Sequence, residues 1–103
     1  MRLFSATLLL LTAMLASHAQ AEPIPAQNLA ADRRACTATC TSRGLALAKC
    51  TPYCDCISKG VGEQFTLEEY TAAAEAAKQN QYPSKDVMDR MAAISKACAA
   101  GVQ

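Results

Sequence analysis

Six cysteines, at Cys36, Cys40, Cys50, Cys54, Cys56 and Cys98, constrain this 103-residue chain more than any other feature. They form two C-x3-C pairs, a C-x-C step from Cys54 to Cys56, and one distant partner. An even set of cysteines in a short exported chain reads as a disulfide framework. In a reducing compartment the same set reads as metal-binding or catalytic. The compartment therefore decides what the cysteines mean, and the N-terminus bears on it.

Met1-Arg2 is a short positive start, Leu3 to Leu15 is a largely apolar run, and Ala19-Gln20-Ala21 closes a stretch of small and polar residues. This is the layout of a secretory signal peptide, with cleavage expected after Ala21. The apolar run is too short to span a bilayer comfortably, and no cysteine stands near the cut to carry a lipid. The expectation is an exported chain, periplasmic or extracellular, with no transmembrane segment in the mature Glu22–Gln103.

Removal of residues 1–21 takes away Arg2 and His18, leaving as many Lys and Arg as Asp and Glu, and no histidine. A neutral chain without a basic run lacks the electrostatic footprint of a nucleic-acid binder. Without histidine it also lacks the commonest general base and metal ligand. The core is expected to be thin: the mature aromatics are Tyr53, Phe65, Tyr70 and Tyr82, tryptophan is absent, and much of the apolar content is alanine. Apolar burial at about 25 cal/mol per Å² struggles to offset chain entropy in so small a core. Cross-links are the expected remedy.

Helical signals dominate the rest, and no segment alternates like a strand. Glu22–Gln27, with its alternate prolines, reads as an extended, exposed tail, ahead of a helical domain over residues 28–103. Asn28 is a candidate cap for a first helix from Leu29 to about Arg43, with Gly44 placed to end it. Thr51-Pro52 reads as the start of a second helix carrying Tyr53 to Ile57 and weakening around Gly60 and Gly62. Thr66-Leu67-Glu68-Glu69 is a capping box, and Phe65 with Tyr70 fits a hydrophobic staple. These open a third, alanine-rich helix from Leu67 to about Gln79, whose small face suits close packing on the fourth. Ser84 caps that fourth helix, Lys85 to about Ala100, on which Val87, Met91, Ile94 and Cys98 share one apolar face. The fold class expected is all-α, about four short helices: a disulfide-stapled hairpin plus two further helices.

Residues four apart share a helix face, so Cys36 with Cys40, and Cys50 with Cys54, each point one way. An antiparallel hairpin then favours Cys40–Cys50 and Cys36–Cys54, although spacing alone leaves other connectivities open. Cys56 is turned roughly 200° from Cys54 on a helix. It faces away from the first helix, and its natural partner is Cys98.

The twin C-x3-C hairpin, Cys36 to Cys54, resembles the α-hairpinins, small disulfide-stapled helical peptides. That resemblance implies a helical hairpin and, as a role, an antimicrobial or protease-inhibitory effector acting through a loop such as Gly44–Lys49. The stretch from Cys54-Asp55-Cys56 through Phe65-Thr66-Leu67-Glu68-Glu69-Tyr70 to Cys98 is similar to a loose class of small exported bacterial proteins. That similarity implies compartment and fold, and brings no catalytic residue with it.

Other readings compete for the same residues. Cys54 and Cys56 can serve thiol exchange or bind Cu(I), with Met88 and Met91 as thioether donors. Cys36, Cys40, Cys50 and Cys54 have spacing that allows a zinc site, but export favours oxidation. Glu68 and Glu69 are explained by a helix start, and Glu75 by a solvated face. Ser58, Ser84 and Ser95 have no histidine to activate them. Arg33, Arg34, Arg43 and Lys49 make the hairpin locally basic, which serves solubility or contact with an anionic surface. The reading these observations favour is a non-catalytic binding or structural protein of the envelope or periplasm. It needs no metal or cofactor, and its partner is an unidentified protein or envelope component.

Overall fold

Two prolines open the described chain, yet they do not leave it loose. The structure, a computed structural model, describes residues 21–101; most of the expected signal peptide, residues 1–20, lies outside them. The Leu67 amide donates to the Glu22 carbonyl at 2.9 Å, and Pro23 forms an isolated antiparallel bridge with Thr66. Ile24 is thereby inserted into the core, only 5% exposed. The segment expected as an exposed tail thus keeps most of its side chains exposed but buries Ile24 and straps over Thr66 and Leu67. The reason is local: alternate prolines hold the chain extended, and an extended segment can pair with another backbone and present Ile24 to one side.

Four helices follow: α1 Ala26–Ser42, α2 Leu47–Gln64, α3 Leu67–Lys78 and α4 Lys85–Ala100. No strand is present among the described residues. α1 begins at Ala26 with Pro25 at its N-cap, so Asn28 lies inside the helix and does not cap it. Gly44, at φ +89°, takes the left-handed conformation that turns the chain after α1. α2 starts earlier than Thr51-Pro52 suggests and holds Pro52 in its interior. An interior proline removes one helical hydrogen bond and crowds the carbonyl four residues back. Here the Cys40–Cys50 and Cys36–Cys54 bridges lie on either side of it and hold the first half of the helix against α1.

Gly60 and Gly62 do not weaken α2; it runs on to Gln64. They are points of close approach. A Cβ on Gly60 would lie 2.7 Å from Ile94 Cγ2, and one on Gly62 would lie 2.9 Å from Leu29 Cδ1. The core that results is small: Ile24, Phe65, Ile94 and Cys98 are buried, with Leu29, Ile57, Val61, Tyr70 and Met91 among those packed around them. The most deeply buried side chains are the cysteines Cys50 and Cys54, at 0% exposure.

α1 runs against α2, and α2 against α4. The alanine face of α3 does not close onto α4. A cleft of about 330 Å³, lined by Ala72, Ala73, Ala76, Pro83 and Val87, separates them. Alanine methyls offer too little area to draw the helices together, and the anchors of α3 all lie in its first turn. There the capping box is complete: the Glu69 amide donates to Thr66 Oγ1 and the Thr66 amide to Glu69 Oε1, both at 3.1 Å. The far end of α3 closes on Asn80 at φ 54°, with the Gln81 amide donating to the Ala76 carbonyl and Asn80 to Ala77. This is a Schellman ending built on Asn in place of glycine.

Candidate functional site

The hairpin that carries four of the cysteines also builds an open groove of about 750 Å³. Along α1 and its C-terminal cap the groove follows Asp32, Ala35, Cys36, Thr39, Cys40 and Arg43, a stripe spaced three and four residues apart. At about 1.5 Å of rise per residue this stripe extends about 16 Å. α2 contributes Lys49 and Tyr53, the turn contributes Leu45, and Ala99 comes from the last turn of α4. Ala99 follows Cys98, so the Cys56–Cys98 bridge delivers the third wall.

The two ends of the groove differ in charge. Arg43 and Lys49 stand at the hairpin turn, and neither makes an ion pair among the described residues. α2 has no acidic residue in its first turn and no side-chain cap at Ala46, so the positive end of its dipole is uncompensated there. At the other end Asp32 accepts a hydrogen bond from the Tyr70 hydroxyl at 2.7 Å, and this bond, reinforced by desolvation, pushes the Tyr70 pKa up. Between the ends the walls are alanine, cystine sulfur, Thr39 and the Tyr53 ring. Leu45 and Leu47, 52% and 60% exposed, leave the turn itself apolar.

The three bridges are Cys36–Cys54, Cys40–Cys50 and Cys56–Cys98, and no described cysteine is free. Their sulfurs are occupied by bonds to one another, so the four-cysteine zinc arrangement has no thiolates to offer. Cys54 and Cys56 do not act as a pair: each is bonded to a different helix. Met88 is partly exposed, while Met91 packs on the core. Among the described residues no three His, Cys, Asp or Glu side chains gather as a metal ion would need.

The remaining candidates have local structural partners. Ser58 donates to the Leu29 carbonyl at 3.3 Å, linking α2 to α1, and Ser84 accepts from the Val87 amide at 3.3 Å. Glu75 pairs with Lys78 one turn on. Glu68 is exposed, and Ser95 is half-buried on α4. Arg33 lies 3.6 Å from Asp55, and with Arg34 it flanks a different groove, so the expected basic patch divides between two faces. The loop expected over Gly44–Lys49 is shorter than anticipated: only Arg43 to Ala46 lie between the helices, and Leu47 to Lys49 belong to α2.

Arg90 is the residue that sequence reasoning missed. It donates to the Gln64 carbonyl at 2.9 Å, to Asp86 at 2.7 Å and to the Glu69 carboxylate, and its guanidinium lies 4.4 Å from the Phe65 ring centroid. One side chain thus joins the end of α2, the start of α3 and α4. Arg90 foremost, and then the Thr66 amide, hold the Glu69 carboxyl below the usual carboxylate range. Only the Asp86–Arg90 spacing of four was visible in the sequence.

No family model matches this chain, and comparison with curated proteins and with solved structures finds no similar protein.

Proposed function

We propose that this chain is a small exported, non-catalytic binding protein of the envelope or periplasm that uses the groove along α1 as its binding surface. The observation that carries the proposal is an apolar groove of ligand-binding size with two unpaired cations at one end. Export is supported by the signal-like start and by cysteines that all enter bridges, since such bonds persist in oxidising compartments. No helix among the described residues is long and apolar enough to cross a membrane. The exposed Leu45 and Leu47 favour a second reading, in which the turn itself is the contact of a secreted inhibitor or effector.

Expression of the full chain, cell fractionation and site-specific photo-crosslinking test both readings. The expected product begins at Glu22, lies outside the cytoplasm and has no free thiol. A compact diazirine residue replacing Thr39 in the groove wall, small enough to leave the groove open, should capture a ligand or partner that one replacing Glu75 does not. Adducts from position 47 with none from position 39 would transfer the contact to the turn. Cytoplasmic retention with reduced cysteines would sink the export reading.

A further inference from the structure

The groove has a shape and a charge distribution that select one chemical class. It is long, about 16 Å along α1 at about 1.5 Å per residue. Its cations, Arg43 and Lys49, stand at the turn end, and its one carboxylate, Asp32, stands at the other. An anionic group is therefore favoured at the turn and disfavoured at Asp32, so a ligand with one charged head has one orientation. The walls are sides of helices whose backbone groups already bond within the helix. A peptide laid in the groove would bring amides and carbonyls that need partners, and the walls offer little beyond the Thr39 and Tyr53 hydroxyls. A hydrocarbon chain brings no such demand.

Resting on the binding role proposed above, we infer that the groove takes a single-chain anionic amphiphile, its acyl chain along Ala35, Thr39 and Tyr53 and its carboxylate or phosphate head between Arg43 and Lys49. Either head, a carboxylate or a phosphate monoester, satisfies the same two cations. The exposed Leu45 continues the apolar wall outward beside the head, where a ligand leaving a lipid surface would enter.

Calorimetric titration of the oxidised protein beginning at Glu22 tests this, with each amphiphile kept below its micelle concentration. Dodecanoate and dodecyl phosphate are the anionic arms, and whichever binds more tightly identifies the head. Dodecyl maltoside supplies the same chain without charge; acetate and inorganic phosphate supply the heads without the chain. The expected result is saturable binding of at least one anionic arm, about tenfold or more tighter than the maltoside, with none for acetate or phosphate. Arg43→Ala and Lys49→Ala should each weaken anionic binding by about tenfold and leave maltoside binding unchanged. Thr39→Trp should block every chain by filling the groove. Mass measurement showing all cysteines oxidised, with unchanged circular dichroism, guards against misfolded variants.

Equal binding of maltoside and anions, or full binding by Thr39→Trp, would overturn the inference. Failure of all three amphiphiles would also overturn it. If photo-adducts from position 39 persist in that case, the groove remains a binding surface for another class of ligand. If they are absent too, both proposals fall.

Discussion

Replacing Cys56 and Cys98 with alanine should remove more stability than any other single bridge deletion. The two positions are 42 residues apart, and no other bridge lies within or across that loop. Closing a loop of that length restricts the unfolded chain by about 4 kcal/mol at 25 °C in the chain-entropy model. Cys40–Cys50, with a separation of 10, is nested inside the Cys36–Cys54 loop of 18. Because the outer bond already restricts that segment, the inner one contributes only about 2 kcal/mol of chain entropy. Both deletions also lose packing, since Cys50 and Cys98 are each buried, so the order set by chain entropy stands. Against a total of about 5–15 kcal/mol for a small domain, the Cys56–Cys98 deletion should leave α4 marginal. Urea unfolding of the oxidised protein beginning at Glu22, followed by circular dichroism, measures both losses. Hydrogen exchange should show that α4 loses protection while α1 and the first half of α2 keep theirs. A loss below about 2 kcal/mol, or a smaller loss than for Cys40–Cys50, would refute the reasoning. So would an α4 that stays fully protected.

Gly60→Ala should destabilise by about 1–3 kcal/mol from overpacking against Ile94, outweighing a helix-propensity gain of about 1 kcal/mol. Ile94→Ala in the same chain should remove most of that clash, seen as coupling in a double-mutant urea cycle. Gly62→Ala should be milder, because Leu29 Cδ1 is the movable end of a side chain whereas Ile94 Cγ2 is fixed near its backbone. Glu69 is held below its ordinary pKa of 4.5 by Arg90 and Thr66, so its contribution is present above that value and is lost as pH falls through the depressed folded value. Glu69→Gln should therefore be less stable than the parent at neutral pH, with the difference shrinking on acidification. A difference constant with pH would show that the carboxylate's charge plays no part.

What could be read from the sequence was what repeats at helical spacing. The C-x3-C steps, the reversal of face at Cys56 and the Val87–Cys98 stripe each state a geometry that holds without knowledge of the neighbours. The cystine framework and the all-α class follow from them. The capping boundaries of α3 and α4 were readable for the same reason, since Thr66, Glu69 and Ser84 act on their own backbone. The boundaries that differed are those where a distant contact outweighs the local signal. Pro52 reads as a helix start until two bridges hold the chain on either side of it. Gly60 and Gly62 read as weak points until Ile94 and Leu29 come close enough that only glycine fits. Ile24 reads as part of a loose tail until Glu22 and Pro23 meet the start of α3.

The groove belongs to the same category. Arg43 and Lys49 appeared as half of a diffuse basic run, and nothing in their spacing separates them from Arg33 and Arg34. The separation is made by the hairpin. Arg33 turns toward Asp55 across the α1–α2 contact, while Arg43 falls on the stripe of Cys36 and Cys40 and so on the groove. Ala99 reaches the same groove beside Cys98, which is tied to Cys56. The bridge expected to contribute most stability is therefore also the one that brings a wall to the candidate site. Its deletion should weaken ligand capture at Thr39 even under conditions where the α1–α2 hairpin remains folded.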